Sequence, residues 1–342
     1  MHMTDALLSP AVGTAFWAGT LASIAYSSRK LKEGIDEKLI PLMGVLGAFI
    51  FAAQMVNFTI PGTGSSGHLG GGMILAVILG PYAAFLAIAS VLTVQALFFA
   101  DGGILALGCN VWNLGVYPCF ISYPFIYRAI AGNGQRPKRI AAASMASAIV
   151  GLQLGAISVV LQTLLSGRSE LPLQPFLSVM LPIHLAIGIV EGFITAGVVN
   201  YVRASRPELL EPALLSQPFA QNVSMKKVLL VFLVLAVISG GALSRFSSTH
   251  PDGLEWSIGK VYGKPELPDG ERGIASALKK LQQEVAIFPD YHSREGMPSD
   301  TAESRGASAS GILGSIIVLF LILLLGLAVK TLRRKRVPGR GK

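Results

Sequence analysis

A succession of apolar stretches, separated by short polar or basic segments, runs through most of this 342-residue sequence. A segment of about 20 apolar residues is long enough to cross the hydrocarbon core of a bilayer as an α-helix. Only 14% of the residues are charged and 52% are hydrophobic, and the mean hydropathy is +0.59. These values exclude an ordinary soluble enzyme and predict an all-α polytopic membrane protein.

The apolar stretches divide the chain into two units. The first, residues 1–206, is predicted to hold seven spans, in the segments 10–26, 40–58, 73–99, 105–127, 140–165 and 176–201. Segment 73–99 is too long for one helix and is broken at Gly80-Pro81, so we expect a short span, a tight turn and a second span there. The second unit, residues 225–342, is predicted to be a two-span hairpin, with spans at about 228–243 and 312–329 and a polar region, 244–310, between them. Residues 207–224 contain three prolines and little charge, which is typical of a linker.

The basic residues predict the orientation of these spans. Most of them lie in the loops 29–38, 128–139 and 203–227 and in the carboxyl-terminal tail. Because basic loops stay in the cytoplasm, we expect the amino terminus outside, the carboxyl terminus in the cytoplasm and region 244–310 outside a cell inner membrane. This distribution also explains the net charge of +9 without nucleic acid as a partner.

The chain opens Met1-His2, and an exposed amino-terminal histidine at position two can chelate a metal. The α-amine, the backbone amide nitrogen of His2 and its imidazole Nδ1 can all face one ion, which leaves one in-plane position open. Four nitrogens in a plane suit Ni(II) or Cu(II). Residues 1–15 contain no Lys or Arg, so they do not resemble the start of a cleaved signal peptide, and we expect this terminus to be retained.

His68 is the best candidate for the open position. It lies in a glycine-rich loop, Gly62 to Gly72, and the span count places that loop on the same side as the amino terminus. Taken singly, His2 is an ordinary consequence of the start site and His68 an ordinary hydrogen-bonded loop histidine. Their common side favours a shared metal, with Met1, His2 and His68 as its ligands.

Further polar residues are candidates for supporting roles. A metal-bound imidazole usually donates its other N–H to an oxygen atom, and oxygen-bearing side chains near the two histidines are Asp5, Asn57, Ser65 and Ser66. His184 and Glu191 are seven residues apart and therefore on one face of the seventh span. Ionisable groups at membrane depth are functional candidates, but a hydrogen bond that fixes helix packing is the alternative that we favour for this pair.

The motifs together resemble a known transporter family. The opening Met1 to Pro10 and the loop Gly64-Ser65-Ser66-Gly67-His68-Leu69-Gly70-Gly71-Gly72 are similar to CbiM and NikM, the substrate-binding S components of energy-coupling factor (ECF) transporters for cobalt and nickel. Pro251-Asp252-Gly253-Leu254-Glu255 resembles the PDGLE module that is fused to some of them, and its flanking helices resemble the small partner CbiN or NikN. The resemblance implies a seven-helix S-component bundle followed by the hairpin, and it implies Met1, His2 and His68 as metal ligands.

The resemblance also implies a mechanism and partners. Ni²⁺ or Co²⁺ would be the transported substrate, without an organic cofactor, and a membrane coupling (T) subunit and ATPase (A) subunits would power import. The sequence has no GxxxxGK[ST] motif, so we expect no ATP hydrolysis by this chain and no enzymatic activity. The alternative from a different class is a self-contained secondary carrier or channel, which would need a polar pathway through several spans. A membrane metal sensor would need a cytoplasmic signalling domain, and the tail after Val329 is short.

Overall fold

Long helices make up most of the chain in the computed structural model, which describes residues 2–34, 38–133, 136–205, 209–210, 225–268, 273–291 and 300–334. The helices of the first unit are α1 (Pro10–Gly34), α2 (Leu39–Gln54), α3 (Gly72–Leu79), α4 (Pro81–Phe99), α5 (Leu107–Val111, continued by the π-helix Trp112–Tyr127 and by Arg128–Ala131), α6 (Pro137–Leu165) and α7 (Leu173–Ser205). Those of the second unit are α8 (Lys226–Val237, continued by Ile238–Ala242 and Leu243–Phe246), α9 (Gly253–Tyr262), α10 (Ile274–Val285) and α11 (Asp300–Arg334). Single 3₁₀ turns cover Asp5–Leu7 and Pro289–Tyr291.

Five of these helices are long and apolar enough to cross a membrane: α4, α6, α7, the stretch Lys226–Phe246 and the part of α11 at Gly306–Ala328. Helix α2 is also apolar but has only 16 residues. The prediction of an all-α polytopic membrane protein is therefore confirmed. The predicted total of nine spans is not fixed by these lengths and stays a prediction.

The predicted break at Gly80-Pro81 separates α3 from α4. Gly80 has φ +77°, a left-handed conformation that favours glycine, and Pro81 begins the next helix. The predicted short span has only eight residues, which extend about 12 Å at 1.5 Å per residue. Helix α3 alone is therefore shorter than a hydrocarbon core of about 30 Å is thick, in line with the expectation of a short span there, and its count as one crossing stays a prediction.

A short antiparallel hairpin carries the chain from α2 to α3. Strand β1 (Phe58–Ile60) pairs with β2 (Ser65–Gly67), and Thr59 lies opposite Ser66. Gly72, at the start of α3, lies directly against α5: a Cβ added there would lie 2.5 Å from the carbonyl oxygen of Leu114. Only glycine allows this approach, so the glycine-rich run after the hairpin brings its backbone into the helix bundle.

The helices of the second unit pack directly on those of the first unit. Helices α8 and α11 both pack on α2, helix α9 packs on α7 and β2, and α10 packs on α4. Gly240 and Gly311 bring α8 and α11 into backbone contact, since a Cβ on Gly311 would lie 2.7 Å from the Cα of Gly240. Of the predicted linker, Leu209 and Leu210 are buried, and residues 207–208 and 211–224 lie outside the described part. The predicted boundaries, 1–206, 207–224 and 225–342, stay predictions.

Candidate metal site

The amino-terminal segment is held by hydrogen bonds to the loop between α4 and α5 and to α5. Asn110 accepts from the backbone N–H of Met3 at 2.8 Å and donates to its carbonyl oxygen at 3.2 Å. Gly103 N–H donates to the same carbonyl at 2.9 Å, and Met3 is fully buried. This pairing fixes the backbone next to His2. Met1, the third predicted ligand, lies outside the described residues.

The loop that carries His68 is fixed by side chains from two helices, one of which is held by a third. Glu191, on α7, accepts the N–H groups of Gly70 and Gly71 at 2.8 and 3.1 Å. Gln54, at the end of α2, donates to the Gly70 carbonyl oxygen at 2.9 Å and accepts from Gln95 of α4 at 2.9 Å. Because Glu191 is buried and both of its oxygens accept from the backbone, the packing interpretation is favoured for this residue.

The imidazole rings of His2 and His68 lie face to face. Their centroids are 5.0 Å apart and their planes differ by 2°. Two imidazoles in neighbouring positions of one metal, each bound at about 2.0 Å, have centroids roughly 4.5 Å apart. The distance between the rings suits a shared ion, but parallel rings have no common point in their planes, so one ring must turn before both lone pairs face the ion.

The hydrogen bond of His68 determines which ring nitrogen is available. Its Nδ1 lies 3.0 Å from the carbonyl oxygen of Leu69, and a carbonyl oxygen can only accept, so Nδ1 carries the hydrogen and Nε2 has the free lone pair. Burial, together with the positive charge of the amino-terminal region and His2, lowers the pKa of His68 to about 3. The ring therefore stays neutral, as a metal ligand must be.

Asp101 is the close partner of His2. One carboxylate oxygen lies 3.1 Å from His2 Nδ1, and the other accepts the Tyr291 hydroxyl at 2.5 Å. Burial alone would raise the pKa of Asp101, but His2 and the hydrogen bonds from His2 and Tyr291 outweigh it and lower the pKa to about 2. His2 Nε2 is buried and has no partner among the described residues. Metal binding through Nδ1 thus requires an exchange of the Asp101 hydrogen bond for the ion.

The two histidines line one cavity of about 220 Å³, and the second unit forms much of its wall. Its remaining lining residues are Gln54, Met55, Asn57, Asp101, His250, Asp252, Glu255, Asp290 and Tyr291. Asp252 caps α9 by accepting from the N–H groups of Leu254 and Glu255 at 2.7 and 2.8 Å. Burial alone would raise the pKa of Asp252, but the positive charge of the amino terminus and the cap hydrogen bonds lower it.

Residues 247–256 of the second unit are hydrogen-bonded to the hairpin and to Asn57 before it. Ser66 donates its N–H to the Pro251 carbonyl oxygen and its hydroxyl to that of His250, both at 2.8 Å. Trp256 Nε1 donates to the carbonyl oxygen of Thr63 at 3.0 Å, and Ser247 and Ser248 bond to the backbone of Asn57. The PDGLE sequence therefore lies against the His68 loop.

The residues predicted to support the histidines have other contacts. Asp5 is buried and accepts the Ala106 N–H at 2.9 Å, and so it positions the loop that carries Asp101. Ser65 and Ser66 bond to the backbone of Pro251 and His250, while Asn57 lines the cavity. These contacts do not include His2 or His68, so the supporting role of the four side chains stays a prediction.

His184 forms a hydrogen bond within its own helix. Its Nδ1 lies 2.8 Å from the Met180 carbonyl oxygen, and its buried Nε2 has no partner among the described residues. With His68, Asp252 and six other residues it lines a small cavity of about 10 Å³. Among the described residues, no three His, Cys, Asp or Glu side chains form a group that could hold a metal.

Sequence reasoning missed Asp101 and Asp252 as parts of this site. Asp101 precedes Gly102-Gly103 and Asp252 follows Pro251, so both have the sequence context of ordinary turns. The predicted span count could have identified them as candidates. It places Asp101 and region 244–310 on the same side of the membrane as the His68 loop.

Comparison with known proteins gives a family for each unit. Residues 2–209 match the profile described as the cobalt uptake substrate-specific transmembrane region, CbiM, and residues 226–331 match the PDGLE domain. A protein of Archaeoglobus fulgidus, provisionally named fused nickel transport protein NikMN, is 44% identical over 324 residues, which cover 94% of this chain and 96% of that protein. The cobalt transport protein CbiM of Geobacter sulfurreducens is 28% identical over 276 residues, which cover 76% of this chain and 77% of that protein.

A solved structure matches the first part of the fold. The crystal structure of a truncated transition metal transporter superimposes with a TM-score of 0.52 and 32% sequence identity, covering 60% of this chain and 99% of that one. The first unit is therefore similar in fold and sequence to a protein described as a metal transporter. The chain belongs to the CbiM family of cobalt uptake substrate-specific transmembrane proteins and carries a PDGLE domain fused to its carboxyl-terminal side.

Proposed function

We propose that the chain captures Ni²⁺ or Co²⁺ outside the cell as the substrate-binding component of an ECF transporter. The observation that carries this proposal is the face-to-face pair of His2 and His68, 5.0 Å apart, at a shared cavity. One residue of the pair comes from the chain start and the other from a loop that side chains of α2 and α7 hold. Relatives named as nickel and cobalt transport proteins support the same cargo.

The proposed ligands are the amine of Met1, the amide nitrogen and Nδ1 of His2, and Nε2 of His68. The first three belong to one segment and form adjoining chelate rings, and His68 completes the plane. Such an arrangement suits ions that accept four nitrogens in a plane. The hydrogen bond from His68 Nδ1 to Leu69 supports this assignment, since it leaves Nε2 as the lone-pair nitrogen.

Separate subunits would supply the energy. The chain has no nucleotide-binding motif of the P-loop type, and so a coupling subunit and ATPases of an ECF transporter would drive release into the cytoplasm. The rival secondary carrier needs ionisable groups that line a path. Both oxygens of Glu191 accept from backbone N–H groups of the His68 loop, and Nδ1 of His184 bonds to its own helix. These contacts favour structural roles for both residues over the lining of a transport path.

Uptake into proteoliposomes tests the assignment of class. The purified chain alone should bind ⁶³Ni²⁺ but should not accumulate it against a gradient, whereas addition of the coupling and ATPase subunits with internal or external ATP should give accumulation. The His68→Ala variant, assembled with the same partners, is the control for uptake through the proposed site. Sustained, partner-free accumulation that an ion gradient drives would establish the secondary carrier instead.

A further inference from the structure

A divalent ion bound by the proposed ligands brings positive charge into the cavity that His2 and His68 line. The amine and the two imidazoles are neutral when they bind, and loss of the His2 amide proton supplies at most one negative charge. At least one unit of positive charge is left beside these half-buried rings. An uncompensated charge in such a place is costly, because the surroundings screen it poorly.

Two carboxylates lie where they can compensate that charge. Asp101 has an oxygen 3.1 Å from His2 Nδ1, so an ion bound about 2.0 Å from that nitrogen lies within roughly 5 Å of the carboxylate. Asp252 lines both cavities that His68 lines. One carboxylate comes from the CbiM-like unit and the other from the PDGLE sequence.

The other acidic residues at the larger cavity are placed differently. Glu255 and Asp290 are exposed, and Glu255 turns back to accept the Asp252 N–H at 3.0 Å. Asp252 is held at the first turn of α9 by its two cap hydrogen bonds, while the Ser66 bonds to Pro251 and His250 hold the preceding residues against the His68 loop. The cap hydrogen bonds and the Ser66 hydrogen bonds thus fix the position of Asp252 relative to the histidines.

We propose that Asp101 and Asp252 are the paired counter-charges of the captured ion, so that the PDGLE sequence supplies part of the electrostatic selection for a divalent cation. The inference rests on the proposed function. It gives the fused module a chemical role: the carboxylate of Asp252 reaches the site only while the module lies on the His68 hairpin. Tyr291, from the same module, holds the Asp101 carboxylate toward His2, so the module governs both charges.

The test removes each charge and preserves the shape. In Asp252→Asn the side chain remains a good helix cap, since Asn and Asp cap about equally well, and in Asp101→Asn an oxygen remains to accept from His2. Calorimetry of the full chain in detergent with Ni²⁺ should show affinity reduced by roughly ten- to hundredfold in each variant, the size expected from loss of a charge near a dication. Glu284→Gln, which removes an exposed charge of the same module, should stay within about threefold of the wild type.

A second measurement separates charge from misplacement of ligands. Asp252→Asn and Asp252→Ser both remove the charge and keep a side chain that caps a helix, so they should weaken Ni²⁺ binding by similar factors, whereas Asp252→Glu keeps the charge and should stay nearer to the wild type. A loss in Asp252→Glu as large as in Asp252→Asn, or an affinity for Ni²⁺ within threefold of the wild type in Asp252→Asn, would overturn the inference. If His68→Ala abolishes Ni²⁺ binding in that experiment, the proposed capture site stands even when the counter-charge role of Asp252 fails. Unchanged metal-free melting temperatures verify that the variants fold.

Discussion

At the scale of single residues, the candidate site depends on hydrogen bonds that orient two rings and a loop. His68 is directed by the Leu69 carbonyl oxygen and His2 by Asp101. Glu191 acts one step away, because it holds the two N–H groups that follow His68 by two and three residues. Each of these contacts predicts a measurable effect of a single substitution.

The low pKa of His68 predicts how its contribution to binding depends on pH. Because burial lowers this pKa from 6.5 to about 3, the ring is neutral throughout the range pH 5.5–7.5, and no proton competes with the metal at Nε2. The factor by which His68→Ala weakens Ni²⁺ binding should therefore be the same at pH 5.5 and pH 7.5, as measured by calorimetry. With an ordinary pKa, that factor would shrink about tenfold at the lower pH, and such a decrease would contradict the assignment.

Substitution of Glu191 should loosen the His68 loop. In Glu191→Gln one oxygen remains, so one of the N–H groups of Gly70 and Gly71 faces an amide N–H₂ and loses its acceptor. A buried donor without a partner costs roughly 1–3 kcal/mol of stability, and we expect a lower melting temperature and several-fold weaker Ni²⁺ binding. Gln153→Leu is the matched control, since it removes a 2.9 Å hydrogen bond from α6 to Leu181 of α7 without contact to the loop. Equal effects of both variants on Ni²⁺ affinity would refute a specific role of Glu191.

At the scale of elements, the hydropathy of the sequence predicted most helices. It did not predict the tertiary contacts of the site. Apolar runs are local, and Gly80-Pro81 marks its own break. The segment that begins at residue 73 and the break at Gly80-Pro81 together predicted the short helix α3. The approach of Asp101 to His2 joins residues 99 positions apart in sequence, and only packing of the whole bundle determines it.

The hairpin of β1 and β2 is predicted to depend on the outer module for its order. Trp256→Phe removes the hydrogen bond to Thr63, whereas Trp17→Phe removes a similar one, 2.9 Å long, from α1 to the Ile104 carbonyl oxygen. Hydrogen exchange should be faster at residues 65–67 only in Trp256→Phe, and faster at 101–106 only in Trp17→Phe. If Trp256→Phe leaves hydrogen exchange at residues 65–67 unchanged, the module does not stabilise the hairpin.

At the scale of the whole molecule, the two units pack together so that the second unit borders the candidate site of the bundle. Helices α8 and α11 pack along α2, α9 packs on β2 and α10 on α4, and His250 and Tyr291 bond to Ser66 and Asp101. The candidate metal site therefore combines residues of the chain start, two loops of the bundle and the PDGLE sequence. The proposed capture function requires that this face is outside.

Reporter fusions test the predicted orientation of nine spans. Alkaline phosphatase, which is active only outside the cytoplasm, should be inactive when fused after Lys342 and active when inserted at the exposed turn of Lys264. Green fluorescent protein should give the opposite pattern. Phosphatase activity at Lys342 would place the carboxyl terminus outside the cytoplasm and contradict the span count.

The most direct test of the account is to block the terminal amine and leave every side chain in place. Acetylation turns the Met1 amine into an amide whose nitrogen has no available lone pair, so the chelate ring that the amine closes with the His2 amide is lost. We predict that calorimetry with Ni²⁺ and Co²⁺ detects no tight binding to the acetylated chain, while its melting temperature without metal matches the wild type. Unchanged affinity of the acetylated chain would contradict an amine-anchored site and return His2 to an ordinary histidine.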